Sequence, residues 1–399
     1  MRIAIVCTLY PPYILGGAEK STALLAEGLL EQGHDVFVIT TGKEDAQVNL
    51  NGVNVYRLKN RNIYWRYPQR DKPLLKKAIW HLLDIYNIFY QNSLKRIFAL
   101  IRPDIVHTGN LCGLSCCVWN IAKSMGIPIV HTLRDYYLLC PQQTMLKGNK
   151  SCDTQCIVCK EYSLVKKVMS EKVDAVVGIS NFILSLHKKY GYFKNAKHNC
   201  VIPNSVKYGN VANLGGKNKD IGYIGRLSPE KGIEFMIEAF KMSQNKNNVK
   251  LKIAGTGNKK YEDYLKQKYN DKNIIFLGQC DQSDFFNAIS LLVVPSLWNE
   301  PFGRVVIEAY SCHIPVFMAD NGGLSELVEN GISKVFSTDS PNNLTILLNK
   351  YFQKDITFDC NLFECAVKKY SQHIITEKYV DLYDKIIKKC YADEKKFNY

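Results

Sequence analysis

No apolar run in this chain approaches the roughly 18 residues that a membrane-spanning helix needs, so no spanning segment is expected. Nothing near the start reads as a secretory signal: the segment RIAIVC after Met1 is six residues long and runs into polar, proline-rich sequence. The chain is therefore expected to stay in the compartment where it is made. The stretch after that segment, CTLYPPYILGGAEKS, lacks the G-x-G-x-x-G of a nicotinamide-dependent dehydrogenase. No nucleic-acid-binding motif is present either, which argues against that class of partner. Acidic residues are scarce beside basic ones, 37 against 52, a formal charge of +15. Such a balance suits an anionic partner, whether nucleic acid, an anionic lipid surface or a phosphorylated substrate, although a lysine-rich genome gives the same excess.

Cysteine, by contrast, is abundant, with 14 residues. At this length, and with no export signal, a disulfide scaffold is not expected. Cys7, Cys112, Cys116, Cys117 and Cys312 lie in apolar stretches and read as small core residues. The 399 residues suffice for two cores of ordinary size. Ile3 to Cys7 reads as a strand, Ala18 to Gln32 as a helix closed by Gly33, and Val36 to Thr40 as a second strand. That opening implies a parallel sheet. Further strands are expected at 104–107, 127–132, 175–179 and 200–202. The Asn-, Gly- and Lys-rich segment after Pro203 reads as a connection. A second α/β series then follows, with strands at 221–225, 250–254, 274–277, 291–295 and 315–318. Its helices are expected to start near Gly232, Lys259, Gln282, Gly303 and Leu324, and a Lys-rich helix from about 376 to 389 ends the chain. Two such halves are expected to form a cleft where the carboxyl ends of their strands meet.

Four features of the second half point to a phosphorylated, ribose-bearing ligand. In Gly225-Arg226-Leu227-Ser228-Pro229-Glu230-Lys231-Gly232, a turn after a strand places a guanidinium fork and an ammonium where both can reach one diphosphate. In Glu300-Pro301-Phe302-Gly303-Arg304-Val305-Val306-Ile307-Glu308, Pro301 and Gly303 turn the chain into a helix whose first amides, near Gly303 and Arg304, can face a phosphate. Glu308, within that helix, can accept hydrogen bonds from ribose hydroxyls. The paired glycines of Asp320-Asn321-Gly322-Gly323 and the Gly255-Thr256-Gly257 turn allow close backbone approach to a ligand.

GRLSPEKG, the AGTG turn, NEPFGRVVIEA and NGGLSEL, in that order, resemble glycosyltransferase family 4, retaining enzymes of the GT-B fold. The fold class expected from the resemblance is α/β, with two Rossmann-like domains facing each other across a cleft. Residues 1–205 would be the acceptor-binding domain and 206–375 the nucleotide-sugar-binding domain, with the helix in 376–399 packing back on the first. The resemblance implies Arg226 and Lys231 on the donor pyrophosphate, Glu308 on the ribose and Glu300 beside the sugar. Gly225, Gly257, Phe302, Gly303 and Arg304 would line the donor. Gly16 and Gly17, at a helix start after the first strand, match the glycine pair that such enzymes place near the donor phosphate. The family often carries a His-Asp pair at the end of the strand that here reads HTLRD; Arg134 stands before Asp135 instead, and both are candidate catalytic residues. His107 and His131 are candidate acceptor contacts, with a buried structural role as the alternative for His131.

Cys140, Cys152, Cys156 and Cys159 have the residue types for a tetrahedral structural zinc, with free thiols as the competing reading. No cofactor is expected for catalysis. Between Lys59 and Lys77 lie seven basic residues and one acid, interleaved with Tyr64, Trp65 and Tyr67 and followed by Trp80. That mixture, with Arg66 as a candidate acceptor contact, suits an anionic membrane surface or a saccharide-lipid pyrophosphate. The expected partners are a nucleotide-sugar donor and a saccharide or lipid-linked saccharide acceptor, not nucleic acid. The expected setting is surface polysaccharide assembly in the cytoplasm or on the inner face of the membrane. No carboxylate nucleophile of the glycosidase kind is identifiable. The favoured mechanism is front-face attack, with the departing phosphate taking the acceptor's proton. A non-catalytic partner that binds a sugar nucleotide is the alternative reading.

Overall fold

Continuous short runs of buried apolar residues, rather than alternating ones, mark strands covered on both faces. The first strand, β1 (Arg2–Val6), is of this kind: Ile3, Ala4, Ile5 and Val6 are all enclosed. The computed structural model describes residues 1–68, 72–148, 150–207, 219–244 and 249–397. After β1 come α1 (Gly17–Glu31), β2 (Asp35–Gly42), β3 (Ala46–Leu50), β4 (Val53–Lys59), α2 (Leu74–Ile85), α3 (Gln91–Ile101), β5 (Ile105–Thr108), α4 (Cys117–Ser124) and β6 (Ile129–Leu133). A small hairpin, β7 (Leu146–Lys147) and β8 (Lys150–Ser151), precedes α5 (Ile157–Ser170), β9 (Ala175–Gly178), α6 (Asn181–Lys189) and β10 (His198–Val201). The large sheet runs β10-β9-β6-β5-β1-β2-β4-β3 and is parallel except where edge strand β3 pairs antiparallel with β4.

The second series consists of β11 (Ile221–Ile224), α7 (Ile233–Met242), β12 (Leu251–Ala254), α8 (Lys259–Lys268), β13 (Ile274–Gly278), α9 (Gln282–Asn287), β14 (Leu291–Val294), α10 (Arg304–Ser311), β15 (Val316–Ala319), β16 (Ser333–Phe336), α11 (Pro341–Phe352) and α12 (Asn361–Lys369). Its six parallel strands run β13-β12-β11-β14-β15-β16, the 3-2-1-4-5-6 order of a dinucleotide-binding sheet. The order reverses between β11 and β14, which pair directly. The final helix, α13 (Gln372–Phe397), sends Ile375, Tyr379, Leu382, Tyr383 and Ile386 into the core of the first sheet, beside Ile3, Ile5, Leu25 and Ile105.

Contacts divide the chain into residues 1–145, 152–205 and 372–399 on one side and 146–151 and 206–371 on the other. The hairpin β7–β8 thus belongs to the second unit, where the Ser151 hydroxyl accepts from the Asn299 amide at 3.1 Å. This excursion and strands β3, β4 and β16 are not among the elements expected from the sequence. The helix expected near Leu324 is a single turn, Ser325–Leu327. Leu327 is drawn into the core, Val328 is extended, and the chain must then reach β16 at Ser333. Most of the connection expected after Pro203 lies outside the described residues, as do Arg70 and Asp71 of the basic segment.

Polar contacts tie α13 to the first sheet: the Tyr379 hydroxyl lies 3.1 Å from that of Thr132, and Tyr383 meets His107. His107 on β5 is buried, with Nδ1 2.6 Å from the Tyr383 hydroxyl and Nε2 2.7 Å from that of Thr132. Tyr383→Phe is expected to leave the imidazole one partner short and to lower stability by about 1–3 kcal/mol, read as a lower urea midpoint at unchanged slope.

Candidate functional site

In open α/β sheets ligands bind beyond the carboxyl ends of the strands, where the strand order reverses. In the second unit that place is set by the loops leaving β11 and β14. The first, Gly225–Gly232, makes a short 3-10 turn at Pro229–Lys231 before α7. Gly232 holds a positive φ of 71°, and a Cβ there would sit 1.9 Å from the Pro295 carbonyl oxygen. Only glycine lets the two loops come this close. The second loop carries Trp298 and Glu300.

The two loops are joined by an ion pair. Lys231 Nζ lies 2.5 Å from Glu300 Oε1 and 5.0 Å from the centre of the Trp298 ring, with both charged side chains largely enclosed. Arg226, about half exposed, donates to Glu230 at 2.8 Å, and the Ser228 hydroxyl donates to the same oxygen at 2.7 Å. Burial works to raise the Glu230 carboxyl, but Ser228, the backbone and Arg226 together hold it below its ordinary value. The buried Tyr223 hydroxyl donates to the Arg226 carbonyl at 2.8 Å and steadies the turn. Glu300 is bridged to Gly322, and the Gly323 amide donates to its carbonyl at 2.6 Å. Leu227 is bridged to Gly257, where a Cβ would lie 1.8 Å from the Leu227 oxygen. Thus Gly225, Arg226, Lys231, Gly257, Glu300 and Gly322 are drawn together by the turns that follow β11, β12, β14 and β15.

Glu308 is held otherwise. Arg304 Nε donates to Oε1 at 2.7 Å and Gln282 Nε2 to Oε2 at 2.5 Å. Gln282 was not singled out from the sequence; it opens α9, and only the fold brings it to α10. Each carboxylate oxygen keeps a further lone pair for a hydroxyl donor. Gly303 packs against Leu324 and Leu327 at the start of α10, and Phe302 is buried with its ring 6.5 Å from that of Tyr370.

In the first unit, loops after β1 and β6 carry the remaining candidates. Gly16 precedes α1, and its amide donates at 2.9 Å to Glu19, whose buried carboxylate thereby caps the helix. Burial raises Glu19, while those backbone amides and the Arg134 charge oppose the rise. Gly17 is the first residue of α1. Arg134 Nη1 donates to the side-chain oxygen Oδ1 of Asn204. Asp135 accepts from the Tyr137 amide at 2.8 Å through Oδ1, whereas Oδ2 is shielded from solvent and has no hydrogen-bond partner among the described residues. Burial pushes the Asp135 carboxyl up to about 6. His131 is enclosed, 2.8 Å from the Thr108 hydroxyl and stacked on Phe193 at 5.7 Å. Burial lowers His131 far below its ordinary value and takes His107 down to about 3, so both rings are neutral core members. Both nitrogens of His107 are already committed.

Among the cysteines, the Cys159 thiol shares hydrogen bonds with Cys140 and Cys156. Among the described residues no group of three or more His, Cys, Asp or Glu side chains is placed to hold a metal ion. Arg66 Nη1 donates to the Cys112 sulfur at 2.7 Å, and its guanidinium lies over the Trp80 ring at 5.4 Å. No helix among the described residues is long and apolar enough to cross a membrane.

Known proteins share this sequence and fold. The family described as Glycosyltransferase Family 4 matches residues 15–208, and that described as Glycosyl transferases group 1 matches 207–356. An uncharacterized 42.6 kDa protein in the cps region of Klebsiella pneumoniae is 36% identical over 96% of this chain and 100% of its own length. The capsular polysaccharide biosynthesis glycosyltransferase CapM of Staphylococcus aureus is 26% identical over 54% of this chain and 69% of its own. Among solved structures, sucrose-phosphate synthase of Thermosynechococcus elongatus superposes with a TM-score of 0.74 at 19% identity, covering 96% of this chain and 98% of that one. Anabaena HepE in complex with UDP superposes at 0.71 with 18% identity, covering 96% and 100%. These two share the fold, a GT-B pair of Rossmann-like domains. With family matches along both halves and a relative similar over nearly its whole length, the chain belongs to glycosyltransferase family 4.

Proposed function

We propose that this glycosyltransferase moves a sugar, with retention of configuration, from a nucleotide-sugar donor to a saccharide or lipid-linked saccharide in surface polysaccharide assembly. The observation that carries the reading is the Lys231–Glu300 pair at the strand-order reversal, flanked by Arg226 and the start of α10. The leaving diphosphate gains charge as the glycosidic bond breaks. Lys231 has three donors and can keep Glu300 while it takes a phosphate oxygen. Arg226 can turn from Glu230 to a second oxygen, and the first amides of α10 face a third. Glu300 then accepts from a sugar hydroxyl and Glu308 from the ribose. In the first unit Asp135 Oδ2, shielded in this structure, accepts from a saccharide hydroxyl once the acceptor displaces the side chains that cover it. The acceptor's proton passes to the departing phosphate, so no metal or protein nucleophile enters the balance. The relatives from a cps region and from capsule biosynthesis support polysaccharide assembly as the setting.

Screening nucleotide sugars for thermal stabilisation identifies the donor, and transfer is then measured with that donor. Glu308→Ala is expected to raise the donor Kd by about tenfold to a hundredfold, the worth of a hydrogen bond to a charged group, while nearly preserving turnover at saturation. Stabilisation by no nucleotide sugar, or an unchanged Kd in Glu308→Ala, would refute the assignment. Donor binding without transfer to any saccharide would instead favour a non-catalytic binding partner.

A further inference from the structure

Two neighbouring helices of the first unit are turned inside out. Helix α5 buries Tyr162, Ser163, Lys166 and Ser170, yet exposes Ile157 (74%), Val158 (65%), Leu164 (64%) and Val168 (52%). Helix α2, which packs beside it, exposes Leu74 (84%), Leu75 (73%), Ile79 (41%) and Leu82 (67%) while burying Trp80 and Asp84. Between the two helices the Lys166 ammonium lies 3.8 Å from the Asp84 carboxylate, both wholly enclosed, and 3.3 Å from the centre of the Tyr137 ring. A water-facing helix ordinarily sends its apolar stripe inward and its charges outward. Here the polar groups are satisfied inside, and the apolar stripe is left for something that is not water.

The same α2 forms one wall of a cavity of about 480 Å³. Lys43, Arg66, Lys72 and Lys77 line it together with Tyr64, Trp65, Tyr67 and Trp80, and among the described residues no acidic side chain does. The ammonium of Lys72 sits over the Tyr64 ring at 5.7 Å. The cations are felt inside: burial first, then Arg66, Lys166 and Lys77, lower His81 to about 4. Its Nδ1 is enclosed without a hydrogen-bond partner among the described residues. Arginine and lysine in such a space suit phosphate oxygens, and flat aromatic faces suit sugar rings and hydrocarbon.

Resting on the glycosyltransferase reading above, we infer that the acceptor is a saccharide carried on a lipid phosphate or diphosphate. The exposed faces of α2 and α5 lie on an anionic membrane, and the head-group phosphate enters the cavity beside α2. Charge complementarity selects lipid as the occupant. Lys72, Lys76 and Lys77 flank the apolar stripe of α2, and Lys160 stands on the exposed side of α5, with Glu161 the acid beside it. A bilayer meets both needs at once, hydrocarbon for the leucines and negative head groups for the lysines.

Flotation of the full chain with vesicles tests this, using phosphatidylcholine alone, phosphatidylcholine with phosphatidylglycerol, and the latter doped with farnesyl diphosphate. The chain is expected to float with the anionic vesicles, less at high salt, and more tightly when the diphosphate is present. The double variant Leu75→Glu/Ile79→Glu changes only exposed positions and is expected to bind anionic vesicles at least about a hundredfold more weakly, from the loss of two buried apolar side chains. Lys77→Ala is expected to lose the farnesyl diphosphate increment and to weaken binding to the phosphatidylglycerol vesicles by no more than about fivefold, one lysine's share. Inorganic pyrophosphate, added as the free anion, is expected to displace only that increment. The inference is overturned if the chain floats with neither vesicle, if the double variant floats as the parent does, or if the same variant instead splits a dimer in solution. Stabilisation by a nucleoside diphosphate is measured on each protein, so a failed flotation with intact nucleotide binding refutes the lipid surface and leaves the donor reading standing.

Discussion

Asp135→Asn is expected to yield a protein that resists unfolding better at about pH 8 and yet transfers sugar about a hundredfold more slowly. The two effects come from one atom. The Asp135 carboxyl is pushed up to about 6 from an ordinary 3.8 by burial, which outweighs the Tyr137 amide and the nearby Lys166 and Arg66 charges. The unfolded chain sheds this proton near 3.8, and the folded chain keeps it until about 6. Between those values the native state binds the extra proton, so stability falls as pH rises. The loss is complete above about 6, where it reaches roughly 2–3 kcal/mol. An amide keeps the shape and the Tyr137 contact but never ionises. Its advantage should vanish below about pH 4 and be full above about pH 7. The cost falls on function: an ionised carboxylate accepts a hydroxyl proton donor at Oδ2, and an amide nitrogen there cannot. Denaturation midpoints at several pH values, set beside transfer rates, check both halves. A variant no more stable at high pH than at low, relative to the parent, would contradict the burial argument. A variant with parental turnover would remove Asp135 from the site.

Lys231→Ala is expected to lower kcat/KM by about a hundredfold to a thousandfold, the scale of removing one preorganised charge from a developing anion. It should also cost about 1–2 kcal/mol of stability, because Glu300 remains largely enclosed without its cation. The double variant Lys231→Ala/Glu300→Gln separates the causes. Neutralising the stranded carboxylate should restore most of the stability and none of the activity. Recovery of transfer along with stability would mean that the lysine serves only the fold.

Much of this was legible in the sequence because strand, glycine turn and helix start announce themselves locally. The loops after β11 and β14 could be located from GRLSPEKG and NEPFGR, and their cations and acids named. That Lys231 should hold Glu300 was not legible, because 69 positions separate them and only the adjacency of β11 and β14 joins the two. Gln282 reached Glu308 in the same way, through a helix from another crossover. His107 and His131 looked like ligands by residue type, but their strands are covered on both faces, and hydrogen bonding inside the core uses the rings. The apolar spacing along α5 reads in a sequence as a core-facing stripe; tertiary packing turned it outward by giving the inner side to Lys166 and Tyr162. The four cysteines have the residue types for a zinc site but a looser spacing than paired C-x2-C units, and convergence of four thiols depends on backbone directions that spacing does not encode.

The assignment of 146–151 to one unit and 372–399 to the other means that the polypeptide changes sides four times, after 145, 151, 205 and 371. The first unit is therefore not finished when residues 1–205 have been made, because it still lacks 372–399. A ribosome that has released only the amino-terminal half leaves Ile5, Leu25 and Ile105 waiting for Tyr379 and Tyr383. Early intermediates would carry this open core throughout translation, a standing invitation to chaperones, and stop codons placed just before α13 should give insoluble product rather than a shortened enzyme.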